Sequence, residues 1–146
     1  MKLDFDCVRD IMLWAEELTT PTSSAVYVNT DEVERFSRLF PGSNNLQPNE
    51  NQQMLLKNYS NEKLVYHINY CVEAGILKRA DLGRPEMIII EDLTPSGHEF
   101  LGNIRDDSNF SLIKNTVQEA GIETLTAFIA IASTVAGNLI TKIITG

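Results

Sequence analysis

His67 and Cys71 stand four residues apart, a spacing that puts two side chains on one face of an α-helix. An imidazole and a thiolate so placed are two of the four ligands a tetrahedral zinc site needs. Cys7 and His98 are the remaining cysteine and histidine, and no spacing brings either to the pair. There is no Cys-x-x-Cys motif, so the four read better as core or edge residues, with His98 packing or hydrogen-bonding locally, and no metal or cofactor is expected. No serine or cysteine can be assigned a base and an orienting acid, and no glycine-rich phosphate loop occurs. Glu91-Asp92 reads as surface at a strand end. The chain is expected to be non-catalytic.

The other chemistry on offer is cationic. Residues 60–84 carry Lys63, Lys78, Arg79 and Arg84 against Glu62, Glu73 and Asp81, an excess of one positive charge. The rest of the chain is strongly acidic, with the whole at -8. Lysine and arginine hold phosphates, and asparagine and lysine reach base edges. On a helical wheel at about 100° per residue, Lys63, Tyr66, Tyr70 and Glu73 share an outward stripe, with Glu62 and Asn69 beside it and His67 at its edge. Asn61, Lys63, Tyr66, Asn69, Tyr70, Lys78, Arg79 and Arg84 are therefore the candidate contacts to duplex DNA. Against this, Glu62 and Glu73 would meet phosphates badly, and four cations are few for tight binding unless a dimer doubles them.

The elements that position these residues follow from apolar spacing. Asp4 caps a first helix carrying Val8, Ile11, Ala15 and Leu18. Ala25–Val28 is a short β-prone run, and Asn29 opens a helix with Val33, Phe36, Leu39 and Phe40, stopped by Pro41-Gly42. Residues 43–58, rich in Asn, Gln and Pro at their start, are expected to form an exposed loop whose end docks through Met54-Leu55-Leu56. Ser60 caps the helix with Leu64, Val65, Ile68, Cys71 and Val72 on one face, and Gly75 ends it in a left-handed conformation. Residues 76–80 and 87–91 read as a hairpin, and Thr94-Pro95 restarts a helix. A helix, a hairpin and a helix restart in this order predict a mainly α fold with a small β-hairpin, a winged helix-turn-helix core over residues 1–105. Residues 106–146 are expected as a C-terminal helical extension, split at Gly121.

The stretch from Met1 to Leu13, the Leu64-Val65-Tyr66-His67-Ile68 segment, Ala74-Gly75-Ile76-Leu77, and Leu93-Thr94-Pro95-Ser96-Gly97 through Arg105 resemble a family of small phage and prophage proteins, a domain of unknown function. The resemblance implies a winged-helix core and a phage or bacterial origin. It implies no established activity. The end from Thr124 is less typical of the family.

Thr124 to Thr141 carries no charge. Seven of its residues are Thr, Ser, Asn or Gly, and no basic cluster flanks it, so a membrane span is not expected. Leu125, Phe128, Ile129, Ala132, Val135, Leu139 and Ile143 make one stripe, with Ala132 and Ala136 small enough for close backbone approach. The helix is either clasped within the monomer or shared with a second copy. The second is the expectation, because so small a domain rarely surrounds a helix, and these residues are candidate homodimer contacts.

The two cysteines lie among apolar residues and the N-terminus has no signal-peptide run, which predicts a cytoplasmic protein. Two functions remain open. One is a phage-encoded regulator binding DNA or a DNA-bound partner. The other is an acidic interaction factor acting on a host protein, for which DNA mimicry is one route. Basic residues gathered on the wing side would favour the first.

Overall fold

In the computed structural model, which describes residues 1–42, 46–81 and 83–145 (139–145 by backbone alone), the chain runs through seven helices and three strands. These are α1 (Phe5–Leu18), β1 (Ala25–Val28), α2 (Thr30–Leu39), α3 (Glu50–Asn58), α4 (Asn61–Glu73), β2 (Leu77–Ala80), β3 (Met87–Leu93), α5 (Pro95–Ile104), α6 (Asp107–Glu119) and α7 (Leu125–Thr145). The fold is mainly helical with a small antiparallel sheet in the order β1-β3-β2.

α1 is the central element. Asp4 caps it by accepting the Cys7 N–H at 3.1 Å, and Phe5, Val8, Ile11, Met12 and Ala15 recur at helical spacing and are buried. It packs against α3, α4, α5 and the sheet. In β3, Ile88, Ile90 and Leu93 point into the same core. β1 pairs with β3 in the register Ala25↔Ile90 to Val28↔Met87, while β2 pairs on the other edge with a bulge between Lys78 and Arg79. The β-prone run at 25–28 is thus a third strand, supplied from far upstream of the hairpin.

The expected loop over 43–58 is corrected from Glu50 onward. Asn49 caps α3 by accepting the Gln52 N–H at 2.8 Å. The Gln52 side chain is fully buried. Its amide accepts the Val28 N–H at 2.8 Å and donates to the Val28 carbonyl at 2.7 Å, so it caps the outer edge of β1 as a neighbouring strand would. Polar composition suggested exposure here, but one glutamine satisfying two backbone groups is a reason to be buried. Residues 43–45 lie outside the described residues.

α6 and α7 belong to the same core as the rest. Phe128 is fully buried, stacked on Phe5 at 4.2 Å between ring centroids and edge-on to Phe100 at 5.6 Å. Leu125 and Ala132 are also fully buried within the single chain. The stripe assigned to a second copy is therefore spent inside the monomer at Leu125, Phe128 and Ala132. The physical reason is that Phe5 of α1, Phe100 of α5 and Phe110 of α6 surround the Phe128 ring. Ile129 and Val135 pack partly against the same core and Ala136 is half-buried. The side chains of Leu139 and Ile143 lie outside the described residues. No helix among the described residues is long and apolar enough to cross a membrane.

Candidate docking face

α3 and α4 are joined by two residues, Tyr59 and Ser60. Ser60 caps α4 by accepting the Lys63 N–H, and Tyr59 donates its hydroxyl to Asp10 on α1 at 2.6 Å. Burial, reinforced by the Asp10 carboxylate, pushes the Tyr59 phenol far above its ordinary range, so it stays a donor. This bond fixes the helix pair against α1. At the other end of α4, Gly75 adopts φ 79°, and the chain turns directly into β2.

Each sequence-predicted contact has a definite place. Asn61 does not face outward. Its amide accepts from the Tyr27 hydroxyl at 2.8 Å and donates to Asn29 at 2.9 Å, which ties β1 and the start of α2 to α4. Lys63 is half-buried and paired with Asp4 at 2.6 Å. Lys78 pairs with Glu91 at 3.1 Å, and Arg84 with the buried Glu86 at 2.9 Å. Arg79 donates to the neutral Asn69 amide at 2.7 Å. Tyr66 is exposed and lies 5.8 Å from the half-buried Tyr70, ring to ring. Glu62 and Glu73 are exposed beside them. The carboxylates of Asp4, Glu86 and Glu91 come from outside residues 60–84, and adding them turns the local excess of one positive charge into two negative.

His67 also departs from expectation. It is fully buried and not at the edge of the outward stripe. Its Nε2 accepts the Asp4 N–H at 2.9 Å, which leaves the proton on Nδ1 to be donated to the Lys63 carbonyl at 2.8 Å. Burial pulls its pKa below the ordinary value. The signal was present: Leu64, His67, Ile68 and Cys71 are spaced i, i+3, i+4, i+7, a buried stripe. Cys71 is fully buried and its thiol is pushed up by burial, while the Cys7 thiol is pushed up to about 12 for the same reason. No cluster of three or more metal-ligating side chains occurs among the described residues.

A groove of about 710 Å³ opens between the N-terminal residues 1–6, the Lys63–Tyr66–Tyr70 side of α4, and the turn from α6 to α7. In its walls Lys63 is held by Asp4, and Lys114 by Asp6 at 2.7 Å. The groove is a joint between aromatic and ion-paired walls with no reactive constellation.

A family model described as a hypothetical protein, DUF2513, matches residues 2–123. The chain belongs to this family. The match ends where the uncharged segment from Thr124 begins, as the less typical character of that end suggested. Within the DUF2513 span lie every element from α1 to α6 and all of the candidate face. No curated protein and no solved structure matches the chain.

Proposed function

We propose that this member of the DUF2513 family is a non-catalytic winged-helix module that docks on a protein through the outer face of α4 and the β2–β3 wing. The winged-helix reading is supported by the order α1-β1-α3-turn-α4-β2-β3, in which α3 and α4 form the helix pair and β1 completes the sheet, with α2 inserted after β1. The observation that carries the choice of partner is the pairing of Lys63, Lys78 and Arg84 with Asp4, Glu91 and Glu86. A cation paired with a carboxylate must give up that partner to reach a phosphate, so it adds less to DNA affinity than an unpaired one. What the face offers instead is the exposed ring of Tyr66 between the carboxylates of Glu62 and Glu73, a pattern suited to a basic protein surface. The phage-family resemblance favours a partner inside the bacterial cell.

The test is a photoreactive phenylalanine analogue in place of Tyr66, irradiated in the cell of origin. Adducts whose size is unchanged by nuclease and that contain peptides of a second protein are expected. Nuclease-sensitive adducts would return the face to DNA.

A further inference from the structure

The N-terminal segment is fastened to α4 by a closed set of polar contacts. The Asp4 N–H donates to His67 Nε2 at 2.9 Å, and His67 Nδ1–H donates to the Lys63 carbonyl at 2.8 Å. Lys63 Nζ returns to Asp4 Oδ2 at 2.6 Å, and Asp4 Oδ1 accepts the Cys7 N–H. The imidazole at the centre is fully buried.

We propose that His67 is a proton-operated latch, holding residues 1–4 against α4 while its ring is neutral and releasing them when the ring takes a second proton. The neutral ring offers one donor and one acceptor, and both are used. An imidazolium carries hydrogens on both nitrogens. Nε2–H would then face the Asp4 N–H, two donors at hydrogen-bond distance with no acceptor between them. Two like donors buried without an acceptor are costly, and separation of residue 4 from α4 relieves them.

The charged and titratable groups around the ring already have partners of their own or are neutral. From the N-terminal side the Asp4 carboxylate faces it, with one oxygen on Cys7 N–H and the other on Lys63. From α4 come the Lys63 ammonium, which is paired with that carboxylate, and the Tyr66 ring at 5.2 Å in edge-on geometry. The Cys7 thiol of α1 and the Cys71 thiol of α4 are buried and neutral. Asp6 is held separately by Lys114 of α6, so α1 stays in place when residues 1–4 leave.

The direction follows from linkage. The folded pKa of His67 lies below its unfolded value of about 6.5, so the latch holds fully above that pH. As pH falls from there to the folded pKa, the ratio of released to held states rises roughly tenfold per unit, then levels off. Asp4 stays ionised throughout, because, although burial raises its pKa, the Lys63 ammonium and the Cys7 N–H outweigh that and leave it below the ordinary value. Release removes the wall that residues 1–4 supply to the groove beside Tyr66 and Tyr70.

The experiment is an NMR titration of the full chain from about pH 7.5 to 4.5, the range in which histidine changes charge. The imidazole nitrogens of His67 report its tautomer and protonation, and the amides of Asp4 and Ile90 report local and global opening. The expected result is a neutral ring protonated on Nδ1 at high pH, with the Asp4 amide shifting and losing exchange protection at the midpoint of the His67 titration. Ile90 stays protected. In His67→Gln, the Asp4 amide loses that pH dependence; if this variant does not fold, the shared midpoint in the unaltered chain decides. An Asp4 amide unmoved through the titration of His67, or Asp4 and Ile90 released together, would overturn the latch.

Discussion

Replacing Gly97 with alanine should cripple the fold, although the change adds one methyl group in a helix. Gly97 sits in the first turn of α5, where Thr94 caps it by accepting its N–H at 3.0 Å. A Cβ built there would lie 2.0 Å from the Ile76 carbonyl oxygen, where ordinary contact is 3.4–4 Å. The obstacle is backbone and cannot swing aside. That same carbonyl accepts the Thr94 N–H at 3.2 Å, so moving it breaks the junction of α4, β2 and α5. Overpacking of this kind costs about 1–3 kcal/mol. The lost hydrogen bond adds about 0.5–1.5 kcal/mol. Together they make roughly 2–4 kcal/mol, a large part of the about 5–15 kcal/mol that holds a domain. Urea unfolding followed by circular dichroism should show the midpoint lowered by about 1–2 M at an m-value of order 2 kcal/mol/M. Gly102, in the same helix with nothing within 4 Å of its would-be Cβ, is the control. Gly102→Ala should raise stability by up to about 1 kcal/mol through helix propensity alone. A Gly97→Ala chain that unfolds within about 0.5 kcal/mol of the unaltered one would refute the clash with the Ile76 carbonyl.

Gln52→Ala strands the N–H and the carbonyl of Val28 together, at about 1–3 kcal/mol each, and should unfold about 2 kcal/mol or more earlier in urea; an unchanged midpoint would show that water replaces the amide without loss. Both thiols are buried and pushed well above the ordinary range, so at about pH 8 neither should react with a disulfide reagent until urea is added. Rapid modification of one cysteine in the folded chain would contradict that burial. Glu16 is held below the ordinary carboxylate value chiefly by its hydrogen bond to Arg105. A depressed carboxylate adds stability above its unfolded pKa and loses it as pH falls, so Arg105→Ala should flatten the acid limb of the stability profile below about pH 4.5.

What could be read before the structure were features that act locally. Asp4, Asn29, Ser60 and Thr94 cap the helices they were assigned, because a short polar side chain meets the third N–H along with no help from the rest of the chain. The hairpin and the turn at Gly75 were legible for the same reason. Most of the misplacements involve partners far apart in sequence, although Arg84 and Glu86 are near neighbours and the burial of His67 follows a local stripe. Gln52 is buried because Val28 needs it, and Asn61 is structural because Tyr27 and Asn29 reach it. Composition also counted Lys63, Lys78 and Arg84 as available charge, when folding supplied Asp4, Glu91 and Glu86 to meet them. On α7 the part of the stripe from Leu125 to Val135 faces the core, but amphipathicity does not say whether the same chain or another covers such a stripe.

We propose that this face does not hold nucleic acid, because three of its four cations, Lys63, Lys78 and Arg84, are already paired with carboxylates. Fluorescence anisotropy of a labelled random-sequence duplex, titrated with the full chain at about 50 mM and about 200 mM salt, tests it most directly. The expected result is no saturable binding at either salt up to tens of micromolar protein, which reaches the middle of the ordinary non-specific range of about 10⁻⁴–10⁻⁶ M. Saturable binding at low salt that weakens steeply as salt rises would show that Lys63, Lys78 and Arg84 leave their carboxylates for phosphate, and would contradict it.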